Sequence, residues 1–329
     1  MKSLKKIKAA LIGGGTGLSV LARGLKRYPI DISAIVTVAD DGGSTGLIRE
    51  QIDMPAPGDI RNVLLALSER EDMLEKLFKF RFKEYEISGH SLGNLMIAAM
   101  FDITGDFSLA VKELSKILNV RGEVLPSTNY SPKLAAIMED NSIYVGESYI
   151  PKAGKKIDRL LLLPQDLKGS PQAIEAINEA DYIVMGPGSL YTSIIPNVLP
   201  LEVKAALQRS EAKKIYICNL MEQPGETMGM SAFDHVKAIN DHVEKEIIDY
   251  MIMSEINLSE AEAKRYTEEG INLIKYKPNE LAAYGIEVRT RNDLIKLDRH
   301  GYIRHDYEVL AEMVYELMLN EVDALKYKE

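Results

Sequence analysis

The chain is short of the residues that build covalent and metal-bound frameworks. Cys218 is the one cysteine among 329 residues, so no intrachain disulfide can form, and a reducing cytoplasmic setting is expected. It falls in the apolar run KIYICN, where it is expected to pack as a small hydrophobe. Histidine is also scarce, limited to His90, His235, His242, His300 and His305. His235 and His242 stand seven apart, which is not the i, i+4 spacing of a helical zinc pair. CxxC and HExxH are absent, which weighs against zinc chemistry. No apolar run approaches the length of a membrane span. The opening MKSLKKIKAALIGGG has only a short apolar stretch, broken by glycines, so it is not read as a signal peptide. No repeat of solenoid period and no low-complexity tract occurs. Positive charge is outnumbered, 40 Lys and Arg against 49 Asp and Glu, for a net charge of −9. That balance weighs against a nucleic-acid or anionic-membrane partner. Lys5, Lys6 and Lys8 read as a solvated strand edge.

What remains is an ordinary globular composition, 46% hydrophobic and 27% charged, with length for one large domain or two smaller ones. The pattern favours a single α/β domain over 1–329. Strands are predicted over 7–12, 32–38, 159–163, 182–185, 214–218 and 247–253. Helices are predicted over 18–26, 59–67, 73–80, 94–101, 109–118, 171–178, 201–208 and 231–244. Asp59 is the expected cap of its helix. This alternation predicts a Rossmann-like, doubly wound, mostly parallel sheet. Short β-prone pieces near Val124, 143–145 and 148–150 predict a small β-rich insertion over about 120–158. An α+β C-terminal extension is expected over about 255–329, with a helix over 259–268, strands near 286–289 and 295–297, and a closing helix from about Tyr307.

The richest signal is Gly13-Gly14-Gly15-Thr16-Gly17, set between a strand and a helix. That order aims backbone N–H groups at one point and suits a phosphate. The dinucleotide fingerprint fails at Leu18, and no GK[ST] follows, so the loop is not a P-loop. A tight turn without ligand satisfies the same residues. Three further strand ends carry comparable loops. The first is Asp40-Asp41-Gly42-Gly43-Ser44. The second holds Gly186, Gly188, Ser189, Tyr191 and Thr192. The third holds Asn219, Gln223, Glu226 and Thr227. Ligands in open α/β sheets bind outside such strand ends, so these four loops predict one cleft. Asp40 follows the first loop at roughly the distance of a ribose-reading acid. Asp41 and Asp59 could share Mg²⁺ beside a diphosphate. Ser88-Gly89-His90-Ser91-Leu92-Gly93-Asn94 adds His90 as an acid, base or phosphate ligand, and Asn94 as a ligand or a helix cap.

Six blocks resemble the YvcK, or gluconeogenesis factor, family: GGGTGLSVLARGL, TVADDGGSTG, PAPGDIRNVL, SGHSLGNL, GPGSLYTSIIPN and NLMEQPGETMG. They run in family order from residue 7 to about residue 230, and the C-terminal part matches less distinctively. That family is related to CofD, the 2-phospho-L-lactate transferase of deazaflavin coenzyme synthesis. The resemblance implies a nucleotide in the cleft, here a UDP-sugar such as UDP-N-acetylglucosamine. It also implies a regulatory role in gluconeogenic growth, cell-wall precursor supply and cell shape, exerted through a protein partner. No cofactor is required by this reading, and a homo-oligomer is compatible with it. The alternative is the transferase branch, which uses a guanosine diphosphate donor, a deazaflavin acceptor and Mg²⁺. Asp59 matches an acidic position of that branch. Arg61 stands where the branch carries a second acid; a cation there repels Mg²⁺ and suits a phosphate.

Overall fold

The computed structural model describes residues 6–326 except 70, 85, 86, 257 and 299. Lys5 and the first residues of the opening segment fall outside the described residues. In chain order the strands are β1 (Ile7–Gly13), β2 (Ile30–Val36), β3 (Glu123–Pro126), β4 (Lys133–Met138), β5 (Ile143–Val145) and β6 (Ile157–Leu163). They continue as β7 (Tyr182–Met185), β8 (Lys213–Ile217), β9 (Tyr250–Ser254), β10 (Glu287–Arg291), β11 (Ile295–Leu297) and β12 (Ile303–His305). Seven of them form one sheet in the order β10-β9-β8-β7-β1-β2-β3, every neighbour parallel. From β1 the chain builds outward through β2 and β3, then returns to build the other side from β7 to β10. The order therefore reverses between β1 and β7, the place where sheets of this kind open a ligand crevice.

Apolar residues on both sheet faces hold this arrangement. Ala9 and Leu11 of β1 enter one core, Ala10 and Ile12 the other. Ile215 and Ile217 repeat that division against Tyr216 and Cys218. Strands covered by helices on both faces need this pattern. Each buried Leu or Ile contributes about 1.5–3 kcal/mol. Cys218 is a free, buried thiol, as expected.

The first helices are α1 (Gly15–Leu25), α2 (Gly43–Gln51), α3 (Pro57–Leu67), α4 (Glu71–Lys79) and α5 (Leu92–Thr104). Both leading glycine loops are shorter than predicted, because Gly15, Thr16 and Gly17 already belong to α1 and Gly43 and Ser44 to α2. Asp59 is not a cap: Pro57 opens α3 after Ala56, which leaves Asp59 inside the first turn.

The β-rich stretch also differs from expectation. Glu123–Pro126 is the edge strand of the parallel sheet, and a separate antiparallel sheet, β5-β4-β6, occupies the following segment. Residues 148–150 are no strand but lead into a 3₁₀ turn, Ile150–Ala153. The predicted strand 159–163 belongs to this small sheet rather than the parallel one. The C-terminal segment lends β10 to the main sheet, forms the β11–β12 hairpin and closes with the helix Tyr307–Lys326. Among the described residues no helix is long and apolar enough to cross a membrane.

Candidate functional site

A cavity of about 670 Å³ opens at the carboxyl ends of the strands around the β1–β7 reversal. Its volume lies in the range of small-molecule sites. Gly15, Thr16 and Gly17 line it from α1, Asp40 from the β2 loop, Asp59 from α3, Gly188, Ser189 and Thr192 from the β7 loop, and Asn219 and Gln223 from the β8 loop. All four predicted loops thus reach one cavity.

The first loop delivers a helix end. The N-cap of α1, Gly14, has no side chain to cap it, whereas Ser91 caps α5 and Ser170 caps the helix Pro171–Glu179; only the Gly15 amide meets a side chain, the carboxylate of Asp59. The leading N–H groups of a helix lack intrahelical partners and carry its positive dipole end. Thr16 is exposed in this first turn. Gly17 has a packing reason as well: a Cβ there would lie 2.7 Å from the carbonyl carbon of Pro187. The start of α1 is thereby pressed onto the β7 loop.

Carboxylates gather on the same cavity. Asp40, Asp59 and Glu147 all line the cavity. Burial pushes Asp59 up to about 7, with Asp40 adding repulsion, while the Gly15 amide and Arg61 pull the other way. Burial also pushes Glu147 up to about 7, reinforced by Asp40, Asp41, Asp59 and Glu226. Asp40 accepts the Gly42 N–H at 2.9 Å. Asp41 does not line the cavity; it accepts the Ser148 N–H at 3.0 Å. The expected Mg²⁺ pair Asp41 and Asp59 is therefore split. Oxygen donors of the right type surround the cavity, yet among the described residues no group of three or more His, Cys, Asp or Glu is arranged to hold a metal.

The loops after β7 and β8 interlock. Ser189 accepts the Thr192 N–H at 3.0 Å and donates to Glu226, and the Thr192 hydroxyl donates to Ser189 at 2.7 Å. Burial raises the Glu226 pKa, and these hydroxyls oppose the rise. Asn219 accepts the Gly188 N–H at 3.4 Å and donates to Gln223 at 3.0 Å. Thr227, fully buried, accepts the Gln223 N–H at 2.9 Å. Glu226 and Thr227 support the wall from behind. Tyr191 points into the core, and burial raises its hydroxyl to about 12.

Other predicted residues do not line the cavity. Gly13, Gly14 and Gly186 shape the backbone beneath it, and Gly42, Gly43 and Ser44 lie off it at the start of α2. Arg61 turns away: its guanidinium donates to Ser91 at 2.6 Å, Asn94 at 3.0 Å and Asn62 at 3.0 Å. Burial, then Arg81, lowers its pKa, and Asp59 and Asp40 offset that. Asn94 is no cap but stands in the first turn of α5, donating to Ser44 at 3.2 Å. His90 is buried with Nδ1 3.3 Å from the Ser44 hydroxyl. Gly89-His90-Ser91-Leu92-Gly93 has the GxSxG spacing, yet Ser91 is a fully buried N-cap for α5 rather than an exposed nucleophile.

Two contributions were missed in sequence reading. Glu147 lies in the small-sheet segment, whose only sequence signal was Gly146-Glu147 between β-prone pieces. Tyr266, Ile271, Tyr302, Ile303, Arg304 and His305 close the far end from the C-terminal segment. Burial lowers His305 to about 4, opposed by a hydrogen bond to the Cys218 backbone. Glu222 ties that end together, accepting from Gly229 at 3.0 Å and from the Asn272 backbone and side chain at 3.1 and 2.9 Å.

A family model described as 2-phospho-L-lactate transferase CofD matches residues 10–294. The chain is 49% identical to the gluconeogenesis factor of Bacillus subtilis over 315 residues, 95% of this chain and 99% of that protein. It is 49% identical to the gluconeogenesis factor of Halalkalibacterium halodurans over 314 residues, 95% of this chain and 97% of that protein. A crystal structure of a UPF0052 family member from Bacillus halodurans superimposes with a TM-score of 0.90 at 48% identity, covering 95% of this chain and 100% of that one. With the strand order, the loop blocks and these relatives in agreement, the chain belongs to the gluconeogenesis factor (YvcK) family of the CofD-like superfamily.

Proposed function

We propose that the chain is a cytoplasmic regulatory protein that binds a nucleotide-sugar, specifically a UDP-sugar such as UDP-N-acetylglucosamine. The observation that carries this reading is the convergence of the glycine-rich start of α1, the Gly188-Ser189 turn and the Asn219 amide on one cavity. The start of α1, with the exposed Thr16 hydroxyl in its first turn, suits a diphosphate. The amides of Asn219 and Gln223 each offer a donor and an acceptor, which suits a uracil edge or a sugar amide. Two close relatives carry the name gluconeogenesis factor, in keeping with a role in carbon use. Links to cell-wall precursor supply and cell shape, through an unidentified protein partner, extend that role.

One observation favours a second reading. Asp40, Asp59 and Glu147 on a single cavity, together with the family description, suit a Mg²⁺-dependent transferase using a nucleoside diphosphate-linked donor. In that case Asp40 and Asp59 hold the ion, which neutralises diphosphate charge.

A thermal-shift screen of nucleotides with and without Mg²⁺ separates the two, because ligands of the native state raise the melting temperature by mass action. Shifts by UDP-sugars without metal support the regulator. A shift seen only with a guanosine diphosphate compound and Mg²⁺ supports the transferase and overturns the regulator.

A further inference from the structure

Glu147 reaches the cavity on a segment pinned at three points. Asp41 accepts the Ser148 N–H at 3.0 Å. Gly146, at φ +111°, sits so close that a Cβ would lie 2.9 Å from Asp41 Oδ2 and 2.7 Å from the Tyr149 ring. On the far side a Cβ on Gly225 would lie 2.6 Å from the carbonyl carbon of Pro151, so the 3₁₀ turn rests on the β8 loop. At its base, Arg49 of α2 donates to the Asp40 carbonyl at 2.8 Å and to the Ser131 hydroxyl at 3.1 Å, tying the approach to β4 to the β2 loop. The small sheet thus roofs the site from the β2 loop to the β8 loop, with Glu147 in the middle.

The cavity's charges are unevenly set. Asp40, Asp59, Glu147 and, at the far end, Glu222 line it, whereas its cationic side chain, Arg304, is paired with Asp298 at 3.2 Å. An anion seated on α1 tolerates this wall only if what it turns toward Glu147 carries no further negative charge. A glycosyl group fits: its hydroxyl and amide N–H groups are donors, and a carboxylate is an acceptor. Above about pH 7, where Glu147 is ionised, a third phosphate has no donor and meets like charge, which interfaces use to reject wrong ligands.

We propose that Asp41 is a positioning residue that clamps the roof through the Ser148 N–H, and that Glu147 is the specificity-determining residue, accepting from the glycosyl group of a nucleoside diphosphate-sugar and excluding nucleoside triphosphates. The proposal deepens the nucleotide-sugar reading above and rests on it.

Two measurements on the full chain test it. Titration calorimetry at pH 8, where Glu147 is ionised, compares UDP-N-acetylglucosamine, UDP and UTP on wild type, Glu147→Gln, Glu147→Ala and Asp41→Ala. Wild type is expected to prefer the sugar and UDP over UTP. Glu147→Gln is expected to gain UTP affinity about tenfold, and Glu147→Ala to lose sugar affinity about tenfold or more, as for a lost hydrogen bond to a charged group. Asp41→Ala, which leaves Glu147 intact, is expected to shift both ligands the same way by less. Hydrogen exchange in the ligand-free protein reads the clamp directly: the Ser148 amide is expected to exchange faster in Asp41→Ala and unchanged in Glu147→Gln. Sugar binding in wild type with the same UDP-to-UTP ratio in both Glu147 variants overturns the selection. Unchanged exchange at Ser148 in Asp41→Ala overturns the clamp. Wild type that binds none of the three ligands overturns the nucleotide-sugar reading and the selection with it, while exchange still decides the clamp.

Discussion

Asp59 and Gly15 meet at the base of the cavity. A Cβ on Gly15 would lie 2.8 Å from the Asp59 Cα, and the Asp59 carboxylate hydrogen-bonds the Gly15 backbone amide. The glycine therefore serves packing, letting α3 press against the start of α1. The same contact places a buried acid beside the remaining leading N–H groups of α1, where an anion would sit.

That burial has a cost at high pH. The folded-state pKa of Asp59, about 7, lies above its ordinary value, so the folded protein holds the proton more tightly than the unfolded chain. Its contribution is fully present at low pH and is lost as pH rises through the window from about 4 to about 7. Asp59→Asn removes the ionisation and keeps an acceptor for Gly15. It is expected to match wild type near pH 4 and to be more stable at pH 8, melting higher there, by an unfolding free energy on the order of a few kcal/mol. Melts at the two pH values check this; a variant no more stable than wild type at pH 8 contradicts it.

Thr16 stands exposed in the first turn of α1, facing the cavity. Thr16→Ala should leave the fold intact and weaken nucleotide binding by about 1.5–3 kcal/mol, one charge-assisted hydrogen bond. Calorimetric titration reads the change. Equal affinity for every nucleotide bound by wild type removes Thr16 from the site.

For Asn219 the comparison is between ligands. It lines the cavity and orders Gly188 and Gln223. Asn219→Ala is expected to lower UDP-sugar affinity more than UDP affinity if the amide reads the sugar. Equal losses place it on the uracil or diphosphate. No loss of either contradicts its role.

Arg61 should matter to the fold instead. Its guanidinium joins α3 to the start of α5 through Ser91 and Asn94. Arg61→Met leaves those buried groups short of a donor, an expected loss of about 1–3 kcal/mol in urea unfolding. Affinity in the folded variant should be unchanged; a selective loss of nucleotide binding with normal stability would return Arg61 to the ligand.

The sheet was legible because short continuous apolar runs such as 7–12 and 182–185, each ending at a glycine loop and alternating with helical segments, mark parallel strands buried on both faces. The four loops were legible because glycine and hydroxyl residues cluster at strand ends. What stayed hidden depends on contacts distant in sequence. Nothing local to Arg61 reveals that Ser91 and Asn94 occupy its guanidinium. Nothing near Glu147 reveals the Asp41 clasp, which spans more than a hundred residues. The strand Lys133–Met138 was missed because its apolar residues, Leu134 to Met138, include a single β-branched residue, Ile137, and do not alternate.

The central claim is binding without turnover. Titrating the full chain with UDP-N-acetylglucosamine, then separating the mixture after prolonged incubation with Mg²⁺, tests both halves in one sample. The account predicts saturable binding and a ligand recovered intact. Absence of binding, or steady release of nucleotide that disappears in Asp59→Ala, would contradict it.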